Sequence, residues 1–165
     1  MREKIWYKML DIKFGEIYLS KYTAFHKAMR KGANILTLVL SLTGVFKWKF
    51  FENHISLIFI IIAVIQVLLL LKSEVIRSDK DIEEIIALKV LYVQYYLELE
   101  KLWYNFNSDK INEEKASAKY FSLEKKYWLS INEIDAKINV KRNLFLIKST
   151  EKESNIYINK YLNHE

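Results

Sequence analysis

The chain has 165 residues, no Cys, no Pro, only three Gly and a formal net charge of +6. Its length suits one domain, and the absence of thiols excludes disulfide-dependent secreted modules and thiolate metal sites. So little turn chemistry argues against a β-sandwich or a Rossmann-type fold and for long helices.

Residues 2–31 read as an amphipathic helix. Ile5, Met9, Ile12, Leu19 and Tyr22 share one face, with Trp6 adjacent, and Lys and Arg populate the remainder. Residues 1–32 carry eight Lys/Arg against three acids. That excess suits an anionic surface better than a nucleic acid, since no basic stripe with a base-reading motif accompanies it. Charge and aromatics are mixed throughout this start, unlike a cleavable signal.

Residues 33–46 (ANILTLVLSLTGVF) are uncharged and form a first membrane candidate, short at about 21 Å unless extended to Phe51. The extension passes Lys47 and Lys49, which can snorkel, and Trp48, Phe50 and Phe51, which suit an interfacial belt; Arg30, Lys31 and Lys72 are the other expected interface residues. Residues 55–71 (ISLIFIIIAVIQVLLLL) carry no charge, Gly or Pro, and as a helix would cover about 26 Å of a hydrocarbon core roughly 30 Å thick. Two such spans predict a transmembrane hairpin. The basic flanks place both termini in the cytoplasm.

Beyond Lys72, SDKDIEE (78–84) offers an N-cap at Ser78 or Asp79. Ile85, Leu88, Tyr92, Tyr95, Leu99, Leu102 and Phe106 then alternate at spacings of three and four, a coiled-coil-like seam suited to oligomerisation. Residues 105–110 read as a turn with Ser108 as N-cap of a helix over about 109–138, which folds back as a cytoplasmic antiparallel hairpin. Its stripe is Tyr120, Leu123, Tyr127, Ile131, Ile134 and Ile138. Thr150 and Glu153 form a capping-box spacing before a final helix, 151–162. The expected organisation is a basic N-terminal helix (1–32), a transmembrane hairpin (33–71, spans 33–51 and 55–71) and a cytoplasmic helical region (72–165), all-α throughout.

Chemistry-bearing constellations are sparse. His26, His54 and His164 lack partners at ligand spacing, and no phosphate loop, serine elbow or nucleophile–base pair occurs. Neither an enzyme nor a cofactor is expected. In the first span Ala33, Thr37, Ser41 and Gly44 share a small-residue face with Asn34 beside it, fitting either packing on the second span or an inter-subunit contact or water-lined path in an oligomer. Gln66 needs a polar partner, within the hairpin or in an oligomer. The tyrosines and tryptophans of 92–128 fit a helical core. They fit a nucleotide-stacking surface only if Lys125, Lys126, Lys141 and Arg142 converge on it.

The order of a basic aromatic helix opening Lys4-Ile5-Trp6, two apolar stretches and a heptad-bearing helix holding LELEKLW (97–103) resembles the SLATT superfamily of bacterial two-span membrane proteins. The likeness covers about residues 1–106. It implies a membrane effector of a nucleotide-second-messenger defence system that perforates the inner membrane of a phage-infected cell, and it brings no catalytic residues. The expected partners are the lipid bilayer, further copies of the chain and a nucleotide messenger or sensor protein, with no nucleic acid. The alternative reading is a non-conducting membrane-anchored scaffold whose helices recruit a cytoplasmic partner.

Overall fold

The computed structural model describes residues 1–43, 63–65, 67 and 77–162. Every element among them is an α-helix: α1 (Arg2–Thr43), α2 (Asp79–Asn107), α3 (Glu113–Ile138) and α4 (Leu144–Leu162). The chain divides into two compact units, Met1–Thr23 with Glu83–Glu165, and Ala24–Ile82.

The expected transmembrane hairpin is corrected. Among the described residues no helix is long and apolar enough to cross a membrane. Residues 33–43 are not the start of a separate span but the end of α1, which continues unbroken through Gly32 from the charged segment before it. Only residues 33–43 of the apolar run belong to the described helix, about 16 Å against a hydrocarbon core of roughly 30 Å. The second expected span lies outside the described residues except at 63–65 and 67. The multi-pass inner-membrane location and the pore-forming reading both depended on the two spans and are corrected with them.

The first unit is a helical body built on one core. From α1 it takes Ile5, Met9, Ile12 and Leu19, the face its 3.6-residue periodicity sets apart. From α2 come Ile85, Leu88, Leu99 and Leu102, and from α3 Ala116, Leu123 and Ile131. Helices α2 and α3 run antiparallel. Lys126 Nζ donates to Glu98 Oε1 at 2.8 Å and Lys137 Nζ to Glu84 Oε1 at 2.7 Å, while the rings of Tyr95 and Tyr127 stack between these pairs at 4.8 Å. On α1, Arg2 lies over the Phe106 ring, Trp6 meets Trp103 at 5.4 Å and Gly15 faces Tyr92, so α1 is antiparallel to α2 as well. The two segments that carry the family resemblance, Lys4-Ile5-Trp6 and LELEKLW, therefore touch through their tryptophans.

Helix ends follow from local capping. At the start of α2, Ser78 Oγ accepts from the Asp81 N–H at 3.1 Å and the Asp81 carboxylate accepts from the Ser78 N–H at 3.3 Å, a reciprocal box. Helix α3 starts later than a cap at Ser108 predicts. Ser108 does not cap it, because the Ser108 N–H still donates to the Tyr104 carbonyl at the end of α2. Asp109 then turns the chain with φ 53°, and Asn112 caps α3 by accepting from the Lys115 N–H at 3.0 Å. Asn139 closes α3 in the left-handed region (φ 48°, ψ 65°), its N–H donating to the Asp135 carbonyl.

Helix α4 starts seven residues earlier than the Thr150 box predicts. Asn143 Oδ1 accepts from the N–H groups of Phe145 and Leu146, at 3.0 and 3.3 Å. Thr150 lies fully buried inside the helix, where its hydroxyl donates to the Leu146 carbonyl at 2.7 Å. Tyr18 holds the linker between α3 and α4. Its hydroxyl donates to the Lys141 carbonyl and accepts from the Asn143 N–H, both at 2.9 Å. Lys21 binds the Ser149 carbonyl at 2.8 Å and the Glu153 carboxylate at 2.9 Å. Lys13 sits over the Tyr96 and Tyr157 rings. These contacts seat α4 along α1 and α2.

Candidate interaction surfaces

The seam of α2 is spent on the chain's own fold. Ile85, Leu88, Tyr95, Leu99, Leu102 and Phe106 are buried in the core of the first unit, and Tyr92 is half-buried against Gly15. A heptad pattern cannot by itself say whether its partner helix belongs to the same chain or to another. Here α1 and α3 supply that partner. What α2 leaves outside is a second stripe at seven-residue spacing, Val90, Leu97 and Tyr104, all exposed.

The remaining expected residues are dispersed. Asn34 lines a cavity of the second unit beside Arg30 and Lys31. Arg30 is ion-paired with Asp79, and the Thr37 hydroxyl donates to the Ala33 carbonyl of its own helix at 2.8 Å. Ser41 falls in the last turn of α1. Gly44, Lys47, Trp48, Lys49, Phe50, Phe51, Gln66 and Lys72 lie outside the described residues.

The aromatic cluster of 92–128 divides between core and surface. Tyr95 and Tyr127 are buried and stacked on one another. Burial pushes the phenols of Tyr95, Tyr92 and Tyr120 above their ordinary range, which keeps them neutral. Of the four basic residues weighed with them, Lys126 turns to Glu98 and the Tyr127 hydroxyl. Its hydrogen bond holds the Glu98 carboxyl below the usual carboxylate range. Lys141 contributes its carbonyl to Tyr18. Lys125 goes elsewhere, to the outer face of α3.

That outer face is the feature the apolar stripe conceals. Phe121 and Trp128, seven residues apart, are 50 % and 56 % exposed, with Leu129 beside them. Phe121, Glu124, Lys125 and Trp128 border a surface depression of about 380 Å³. Its surroundings are cationic. Lys4 from α1 sits 4.5 Å from the Phe121 ring centroid, and Lys125 stands between the two aromatics. The carboxylate of Glu124 also lines the depression and, after burial, is what raises the Tyr120 phenol above its ordinary range. Among the described residues, no group of three His, Asp or Glu gathers to hold a metal ion.

No family model matches the chain, and no curated protein or solved structure matches it.

Proposed function

We propose that the chain is a helical adaptor. Its first unit recruits a partner protein by docking an amphipathic helix with acidic flanks against the outer face of α3. The observation that carries this reading is the pairing of two large exposed aromatics, Phe121 and Trp128, with the two cations Lys4 and Lys125. An exposed Trp is costly in water and is enriched among residues that dominate binding energy. Residues at i, i+4 and i+7 of a helix present one ridge, here Phe121, Lys125 and Trp128, to a partner helix laid along it. The cations select acidic flanks on that partner and repel basic ones. This is the scaffold reading without its membrane anchor. A permeabilising mechanism needs the two spans, and among the described residues no helix is long and apolar enough to cross a membrane.

Fluorescence of Trp128, in a background where Trp6, Trp48 and Trp103 are Phe, tests the proposal. The probes are two designed amphipathic peptides of equal apolar face, one flanked by Glu and one by Lys. The acidic peptide is expected to give a saturable blue shift and to lose at least tenfold in affinity against Lys125→Glu, while the basic peptide gives no shift. Equal responses to both peptides, or indifference to Lys125→Glu, would refute the reading.

A further inference from the structure

The second unit contains a different kind of surface, a cavity of about 410 Å³ formed by α1 and the start of α2. One end is cationic, with Lys27, Arg30 and Lys31. The other is apolar, with Ile35, Leu38 and Ile82. Helical spacing explains the gradient. Lys27, Lys31, Asn34 and Leu38 succeed one another at intervals of four, three and four along one face, so the lining passes from charge through an amide to hydrocarbon within about three turns.

The charges are unevenly satisfied. Arg30 is paired with Asp79, which itself lines the cavity. Lys27 and Lys31 are exposed and have no ion-pair partner among the described residues. Three cations around one carboxylate leave a net positive end that an anion can enter, competing with Asp79 for the Arg30 guanidinium. Ile35 and Leu38, both more than half exposed, leave an apolar wall in water directly beyond it.

We propose that this cavity binds one molecule of an anionic amphiphile, a phosphate or carboxylate head joined to an alkyl chain. The head lies among Lys27, Arg30 and Lys31, and the chain covers Ile35 and Leu38. Inorganic phosphate alone satisfies the cations but leaves the apolar wall wet. A neutral alkyl compound covers the wall but leaves the cations as they are. Only a molecule with both parts uses the whole lining. Asp79 acts as the resident counter-ion that the head displaces.

Calorimetric titration of the full 165-residue chain with octyl phosphate, inorganic phosphate and octyl glucoside, all below their micellar concentrations, tests this inference. Octyl phosphate is expected to bind with a stoichiometry of one and at least tenfold tighter than either control. Lys27→Gln with Lys31→Gln should weaken it at least tenfold. Asp79→Asn, which removes the competing carboxylate, should tighten it several-fold. Leu38→Ser should weaken octyl phosphate and leave inorganic phosphate unchanged. Equal binding of octyl glucoside would overturn the role of the cations, and equal binding of inorganic phosphate would overturn the role of the apolar wall. Should the double lysine variant misfold, Asp79→Asn still decides the matter, since unchanged or weaker binding there contradicts the proposed competition.

Discussion

Gly15 and Tyr92 set how closely α1 approaches α2. A Cβ at Gly15 would lie 2.3 Å from Tyr92 Cε1 and 2.7 Å from Cδ1, well inside contact distance. Ala is the better helix former by about 1 kcal/mol, but here it forces the ring or the helix to move. Gly15→Ala should therefore destabilise the chain by about 1–3 kcal/mol in chemical denaturation, as overpacking does. In a Tyr92→Ala background the same change should stabilise it by up to about 1 kcal/mol. Additive effects would show that the ring is not the obstacle.

Tyr95 presents a second residue-level conflict. Its ring stacks on Tyr127, yet its buried hydroxyl has no hydrogen-bond partner among the described residues. Burial, and then the neighbouring Tyr120, raises its phenol above the ordinary range, so the group stays protonated. Tyr95→Phe keeps the stack and removes the stranded oxygen. Stability should stay level or rise by about 1 kcal/mol, whereas Leu99→Ala in the same core should cost about 2–5 kcal/mol. A loss above about 1 kcal/mol for Tyr95→Phe would reveal a partner for the hydroxyl.

At the scale of the helices, the buried faces were legible and several of the ends were not. Ile5, Met9, Ile12, Leu19 and Tyr22 on α1, and all but Tyr92 of the α2 seam, are buried as their spacing requires. Spacing reports which side chains share a face, and that property survives folding. Caps depend on which of several competent residues the chain geometry selects. Ser108 and Asn112 are both good N-caps by type. The left-handed turn at Asp109 separates them, leaving Ser108 just past the end of α2, its N–H donating to the Tyr104 carbonyl. Asn143 likewise takes precedence over Thr150, which the core absorbs. Asn112→Ala should accordingly cost about 0.5–2 kcal/mol, and Ser108→Ala no more than a few tenths. Thermal unfolding of the two variants decides between the two starts, and a larger loss for Ser108→Ala would restore the earlier one.

For the whole molecule, sequence patterning reached the helical class but not the use of its surfaces. The seam on α2 reads equally well as an interface between copies or as an internal core, because periodicity carries no information about which chain supplies the partner. The aromatic face of α3 was hidden for a related reason. Phe121 and Trp128 each follow a core position, Tyr120 and Tyr127, by one residue, and the stripe itself does not say which of its neighbours meet solvent. Only the helix's orientation separates the inner pair from the outer. The apolar run at 33–46 misled differently, since hydropathy judged it alone while α1 joins its first part to the thirty-one residues of 2–32.

The outer face of α3 and the stripe Val90, Leu97 and Tyr104 are rival surfaces for a partner helix. Hydrogen–deuterium exchange of the full chain, with and without the acidic amphipathic peptide, distinguishes them most directly. Docking at Phe121, Lys125 and Trp128 predicts slowed exchange concentrated in residues 118–132, abolished by Phe121→Ala with Trp128→Ala. Protection centred on residues 90–104, or none at saturating peptide, would contradict the assignment of α3 as the recruiting face.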